Sequence, residues 1–517
     1  MTIEAATNIA TLNPLYPATG DSRTEGDDHI RLVKTCIQTL NASGGTAQIG
    51  YISASLGAVL QTLQAILRAF PVTPTMFGAV GNGVTDDTAA LNLFHAAVSA
   101  GRAGDYQDKV YVFTAALTTL TSANVNLVGQ GAILLYTGAS VTPGNLMTIS
   151  SSGLNNCNAS GFTIASTTTL TAWYALRVVG FQHASIDVKF DGDEIYLGKL
   201  YGGLLLDGTS VVNLNRTRTF GCAIGIAAFN SIELHFNSAF VKGRSPASAA
   251  NGIGVLIGGN CGGVYFEDFT QLLNNIGCKI DQSLVATQNQ QIFFGTSTWD
   301  TNYTANVQVN DATANAVGKI LDLQVAWFAS CVAGNGFDVL AWGLNSKVKS
   351  SGASFINNFG DGLKFADTTV KYTEDLGTVN ANNGGYGVNA TGAMEIFSNC
   401  APYTNTSGSY HKNITRRTPT EIQKTVTLAS GANVALPDYS GVIQVANTSN
   451  GATASYQVGG GSVSLIGASN ATFQATTTTP SAGTCSIAFT AGHYTLYSNF
   501  GSTQDYLVTI AVAREAV

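Results

Sequence analysis

From about Val110 to Ala390 the chain runs in short stretches where apolar and polar residues alternate, each broken after a few residues by Gly or Asn. Alternation places every second side chain on one side of an extended backbone, so these stretches predict strands with one buried face. They also recur. Gly225-Ile226, Gly254-Val255, Gly277-Cys278, Gly336-Phe337, Gly362-Leu363 and Gly387-Val388 each introduce a strand, and Asn306-Val307 stands in the equivalent place where no Gly occurs. The steps are 29, 23, 29, 30, 26 and 25 residues. Unequal steps around one mean predict coils of a parallel β-helix whose turns differ in length, and argue against propellers and leucine-rich repeats with their stricter periods. Asn357-Asn358 and Asn382-Asn383 fall at turns, where Asn tolerates left-handed backbone and can ladder between coils.

Other patterns flank this region. A helix is expected from Glu25-Gly26-Asp27-Asp28, with Ile30, Val33, Ile37 and Leu40 on one face. Ile49, Ile52, Leu56, Val59, Leu63, Ile66 and Phe70 then form a heptad seam, widened by Leu60 and Leu67 and ended by Pro71. A wide seam suits a trimeric coiled coil, the alternative being a hairpin within one chain. The glycine-punctuated stretch from Met76 leads into a helix expected to be capped at Thr85 or Asp86 and to close one end of the coils. After Arg416-Arg417-Thr418-Pro419 the alternation becomes regular (Val426, Leu428; Val442, Ile443, Val445; Tyr506, Val508, Ile510), as in a β-sandwich. The reading divides the chain at 1–75, 76–415 and 416–517.

Composition narrows the class. Of 517 residues 45% are hydrophobic and 11% charged, with 57 Gly, which excludes a largely disordered chain and favours stacked strands. The formal charge is −7 without a dense Lys/Arg run, so nucleic acid and anionic membrane are not expected partners. No eighteen-residue apolar segment or signal-like N-terminus occurs, so neither membrane insertion nor secretion is expected, and synthesis and folding are placed in a cytosol. The eight cysteines are scattered without metal-ligand spacing and read as reduced and buried. Asp187, Asp191, Asp193 and Glu194 cluster but do not reproduce a calcium loop, and no cofactor or metal is expected.

The stretch Phe77-Gly78-Ala79-Val80-Gly81-Asn82-Gly83-Val84-Thr85-Asp86-Asp87-Thr88-Ala89-Ala90 closely resembles the motif that opens pectate-lyase-like right-handed β-helices in bacteriophage tail spikes. The head, Leu12-Asn13-Pro14 through Leu32, is similar to the virion-proximal end of tail fibres and spikes. Asp438-Tyr439-Ser440-Gly441-Val442 with Val458-Gly459-Gly460-Gly461 is similar to their C-terminal β domains. The resemblance implies a mainly β homotrimer in the virion tail. Its N-terminal region would hold phage tail or adaptor proteins, and its β-helix would face, and often cleave, host surface polysaccharide. A non-cleaving adhesin and a purely structural tail component are the alternatives.

Cleavage of a glycosidic bond needs two carboxyl groups flanking it. Alternation points Ile232, Leu234 and Phe236 inward and Glu233 and His235 outward; Val264 and Phe266 inward leave Tyr265 and Glu267 outward. Coil stacking at about 4.8 Å can bring Glu233, Glu267 and Asp268 onto one face. Asp300 is expected to join them, with Trp299 as a sugar platform and Tyr265 and His235 as further substrate contacts. Asp322 is the next outward carboxylate.

Overall fold

The computed structural model describes residues 69–517 except 140–143, 152–154, 193–199, 260, 282–290, 312–318, 344–345, 376, 399–404, 406–410, 418–420, 437–440, 460, 475–477, 492 and 513–517. The helix expected from Glu25 and the heptad seam from Ile49 to Ile66 lie outside the described residues, as do Cys36 and Cys400.

The chain forms a parallel β-helix with three strands per coil. One coil consists of Ile224–Phe229, Ile232–Asn237 and Phe240–Lys242, here termed faces A, B and C, and the next of Ile253–Gly258, Gly262–Glu267 and Phe269–Leu272. Each strand pairs in parallel with its counterpart one coil on, as in Ile226↔Val255, Leu234↔Val264 and Val241↔Gln271. On face A the register runs Ile226, Val255, Cys278, Val307, Phe337, Leu363, Val388. These are the residues that follow the marker glycines and Asn306, so the unequal steps are the lengths of successive coils.

The glycines are required by close approach. A Cβ at Gly225 would lie 2.5 Å from the Gly254 carbonyl oxygen, and one at Gly254 2.6 Å from that of Gly277. Such contacts exclude any side chain. Inward positions are filled by Leu234, Phe236, Val264, Phe266, Ile292 and Phe294, all fully buried, and aromatic rings stack between coils, as Phe236 does on Phe266 at 4.6 Å.

A second interior row is polar. Thr301, Asn357 and Asn382 adopt φ of 53°, 57° and 56°, and the residue after each turns its amide into the coil. Asn302 donates to Gln271 (2.7 Å) and Asn306 (2.8 Å), Asn306 to Asn358 (3.3 Å), Asn358 to Asn383 (2.9 Å) and Asn383 to Asn405 (3.0 Å). The same side chains accept from turn backbone, including Cys331 N–H at 3.1 Å and Asn383 N–H at 3.0 Å. A buried amide is tolerated because nearly every donor and acceptor is used.

The opening motif makes strand Asn82–Asp86 and helix Thr88–Ser99. Asp87 holds the N-cap position, one residue past Asp86, and its side chain makes no cap hydrogen bond. Asp86 accepts from Thr88 N–H (3.0 Å), and this bonding with Thr88 holds its carboxyl below the usual value. Asp87 instead clamps the preceding turn through Val80 N–H (2.7 Å) and Gly81 N–H (3.0 Å). The helix lays Leu91, Phe94 and Val98 over the coil interior, where Phe94, Tyr106 and Phe162 meet at 5.0 and 5.1 Å. Among them His95 is fully buried. Its Nδ1–H donates to the Thr118 carbonyl (3.0 Å), which leaves Nε2 to accept from Tyr106 Oη (2.8 Å).

At the other end pairing turns from parallel to antiparallel: Phe397↔Arg417 is parallel, and Thr415↔Lys424 antiparallel. Strands Glu421–Leu428, Gly441–Asn447, Thr453–Gly459, Ser462–Ala468 and Gln504–Val512 make one sheet, and Asn433–Ala435, Thr484–Thr490 and His493–Asn499 a second. Ile443, Tyr456, Val508, Ile487 and Leu496 share one core between them, which makes a β-sandwich. The described cysteines are buried free thiols, and burial pushes Cys157, Cys261 and Cys485 up to about 12. Among the described residues no helix is long and apolar enough to cross a membrane.

Two consequences are testable. Burial lowers the His95 pKa from 6.5 to about 4. Unfolded chains take up this proton first, so its contribution is full above the unfolded value and lost as pH falls toward the folded one, by about 3 kcal/mol. Denaturant unfolding between about pH 7 and 4.5 should show this slope, flattened in His95→Gln. Asn358→Ala should cost about 2–4 kcal/mol by stranding its ladder partners, against under about 0.5 for Asn156→Ala on the surface.

Candidate functional site

Parallel register turns outward positions into columns along the coils. On face B one column reads Asn158, Ser185, Asn213, His235, Tyr265, Phe293, Asp322, Lys349 and Thr373. Its first part borders a cleft of about 360 Å³ lined by Asn124, Asn126, Asn156, Asn158, His183, Ser185 and Asn213 together with the apolar Val125, Cys157, Ala184 and Val211. Amides bridge coils there: Asn156 donates to Asn124 (3.3 Å) and Asn158 to Asn126 (2.8 Å). In the next outward column Asn237 donates to Asn213 and Asn215, both at 3.4 Å, and Glu267 follows Asn237 in register.

The middle of the column is aromatic. His235 stacks on Tyr265 with centroids 4.7 Å apart and planes within 8°, and Tyr265 on Phe293 at 4.8 Å and 2°. Both faces of Tyr265 are therefore covered, and it offers its ring edge and hydroxyl. Beyond Phe293 the column becomes charged at Asp322 and Lys349. Phe293 was missed because it lies within Ile292-Phe293-Phe294; the inward Ile292 and Phe294 on either side are the signal that would have shown it.

The predicted carboxylates separate. Glu267 and Asp268 adjoin at the corner between faces B and C, where Asp268 has φ 50° and accepts from Ser238 Oγ at 2.6 Å. Glu233 is the second residue of its strand, at φ 53° and four residues before Asn237, the register partner of Glu267, so it lies about 13 Å along the face. Its left-handed backbone also breaks the expected alternation, leaving Ile232 outward and 46% exposed. Asp300 ends its face C strand and accepts from Thr301 Oγ1 at 3.1 Å. The Thr296 hydroxyl, four residues earlier, is what meets the Asp268 N–H at 3.1 Å, so Asp300 is likewise displaced along face C. The structure brings Glu267 and Asp268 together and leaves Glu233 and Asp300 apart from them.

Trp299 corrects the expectation of a sugar platform. It is fully buried under Phe266, Phe269 and Phe294, and its indole N–H donates to Ser297 Oγ at 2.9 Å. In the strand Ser297–Asp300, Thr298 and Asp300 face outward and Ser297 and Trp299 inward.

Sequence reasoning also missed a polar cluster on face A. Asp338 stands between Gln308 and Lys364 in register. Asn335 donates to Asp338 Oδ1 (2.9 Å) and accepts from Asp361 N–H (2.7 Å), while Asp361 accepts from Tyr386 N–H and Asn389 Nδ2, each at 2.7 Å. Burial raises the Asp338 pKa, with Lys364 opposing. Only the coil register joins these residues, from four successive coils.

No protein-family profile matches the chain, and no curated protein matches it. Among solved structures it is similar to tailspike protein 3 of bacteriophage CBA120 (14% identity, TM-score 0.44, over 87% of this chain and 76% of that one). It is also similar to tailspike protein gp49 of Pseudomonas phage LKA1 (11%, 0.43, 86% and 100%). A third is the A-module of mannuronan C-5 epimerase AlgE4 from Azotobacter vinelandii (14%, 0.40, 67% and 98%). At these levels no residue's role carries over.

Among the described residues no group of three His, Cys, Asp or Glu could hold a metal ion. Asp187 instead pairs with Arg216 at 2.5 Å and Asp191 with Lys189 at 3.4 Å. Because Trp299 belongs to the core, Trp299→Ala should lose about 3–5 kcal/mol of stability. Equilibrium unfolding measures this; an unchanged midpoint would return the indole to the surface.

Proposed function

We propose that this chain is a bacteriophage tail spike whose β-helix engages a bacterial surface polysaccharide and cleaves it. The observation that supports this best is the face B column, in which a cleft bordered by five asparagines and several apolar side chains continues by register into an aromatic stack and then two charged residues. Sugars present many hydroxyls and little charge, so amide and hydroxyl rows recognise them where Lys/Arg patches would not. A repeating polymer also suits a surface whose polar groups recur from coil to coil at about 4.8 Å. The likeness of the opening motif to that of tail spikes supports the same reading.

In this reading the chain works as a homotrimer in the virion tail, the region 1–75 attaches to phage tail or adaptor proteins, and 416–517 aids trimerisation or carbohydrate binding. Glu233, Glu267, Asp268 and Asp300 are the proposed catalytic carboxyls, with Tyr265 and His235 contacting substrate. Glu267 and Asp268, adjacent at one corner, are better placed to act on one bond than Glu233, whose offset of about 13 Å along the face exceeds the roughly 5–10 Å between carboxyls that hydrolysis needs.

Incubating the purified protein with capsule or O-antigen should yield new reducing ends or unsaturated products. The single variants Glu233→Gln, Glu267→Gln, Asp268→Asn and Asp300→Asn should then separate roles: loss of a catalytic carboxyl lowers turnover by about three orders of magnitude while binding persists. Full activity in all four would place the chemistry elsewhere. Binding without any product would leave an adhesin, and a monomer in solution would refute the trimer.

A further inference from the structure

The chain contains four tryptophans, and the structure sorts them sharply: Trp299 and Trp342 are fully buried, Trp173 is 8% exposed and Trp327 is 41% exposed. Trp327 opens strand Trp327–Ala329 on face C. Its register partners are Thr298 in the preceding coil and Ser354 in the following one, and Thr270 stands beyond Thr298. The indole therefore sits in an outward column between hydroxyl residues, and the column runs on to Phe240 before Thr270 and to Val379 after Ser354. Among the described residues no aromatic ring or cation covers it, unlike Trp342 beneath Lys319 or Tyr265 between His235 and Phe293.

Asp300 shares this surface. It lies two positions along from Thr298, and its own register partner in the Trp327 strand is the small Ala329. One coil and two residues separate Asp300 from Trp327, a diagonal of about 8 Å. Residues two apart on a strand point the same way, so both side chains leave face C together.

From this placement we propose that Trp327 is a sugar platform: one indole face receives the apolar face of a pyranose ring, Thr298 and Ser354 bind its hydroxyls, and Asp300 meets the adjoining sugar. This rests on the polysaccharide reading above and adds a second subsite, on face C, to the column on face B. The occupant is a saccharide because an indole among hydroxyls matches a ligand with one C–H face and a hydroxyl rim. A lipid or an apolar peptide would leave the flanking hydroxyls unpaired.

Because the other three indoles are sheltered, intrinsic fluorescence reports on this residue. In the free full-length protein, iodide should quench an exposed tryptophan component that Trp327→Ala lacks. An array of bacterial capsule and O-antigen fragments then supplies the probe. A bound fragment should shift the emission to the blue and block iodide, Trp327→Ala should abolish the shift and weaken binding at least about tenfold, and Trp327→Phe should recover part of it. Fragment binding that is equally tight in Trp327→Ala would overturn the platform and leave the polysaccharide reading standing. No fragment bound by the unmodified protein would remove both. An indole already closed to iodide in the free protein would place a second copy of the chain on face C and also overturn it.

Discussion

Everything in the β-helix follows from the parallel hydrogen bonding of one coil to the next. Coils about 4.8 Å apart leave no room for independent choices, since each residue has a fixed neighbour above and below. Where backbones come closest, as at Gly225 and Gly254, no side chain fits. Where a turn points inward, an amide must find another amide, and Asn302, Asn306, Asn358, Asn383 and Asn405 do so in sequence. The constraint that builds the core also builds the surface, because an outward column is the same register seen from outside.

Stacking further decides what a surface residue can do. Aromatic residues in successive coils of face B close each other's ring faces, as at His235, Tyr265 and Phe293, and become a rigid ridge of edges. An aromatic between hydroxyl residues keeps its face, as Trp327 does between Thr298 and Ser354. The register neighbour one coil away decides which part of a ring is left to bind. A binding surface assembled from rigid strands also limits the ordering cost when a long polymer settles on it.

Much of the fold was legible because it depends on spacing. The Gly-hydrophobic markers located the face A strands from Ile224–Phe229 to Val388–Ser398 at their true register, and paired Asn at turns signalled the interior ladder. The site was less legible because it depends on phase. Trp299 and Asp300 are adjacent in one strand and so must point to opposite sides, which rules out their joint use on one surface. At Glu233 a left-handed residue shifts the alternation, and nothing in Ile232-Glu233-Leu234 announces it. Distances along a strand were equally hidden: Glu233 and Glu267 lie on neighbouring strands yet at opposite ends of them. Asp338 and Asp361 come from separate coils, and their meeting through Asn335 needed the register of the later turns.

The central claim is that the outward faces of the coils hold a polysaccharide. The most direct measurement is an electron cryomicroscopy map of the full-length protein with a bound fragment of capsule or O-antigen several sugars long. The account predicts extended density lying across successive coils on face B or face C, in contact with the Asn213 to Phe293 column or with Trp327. Density confined to the β-sandwich of 416–517, with the coil faces empty, would contradict it.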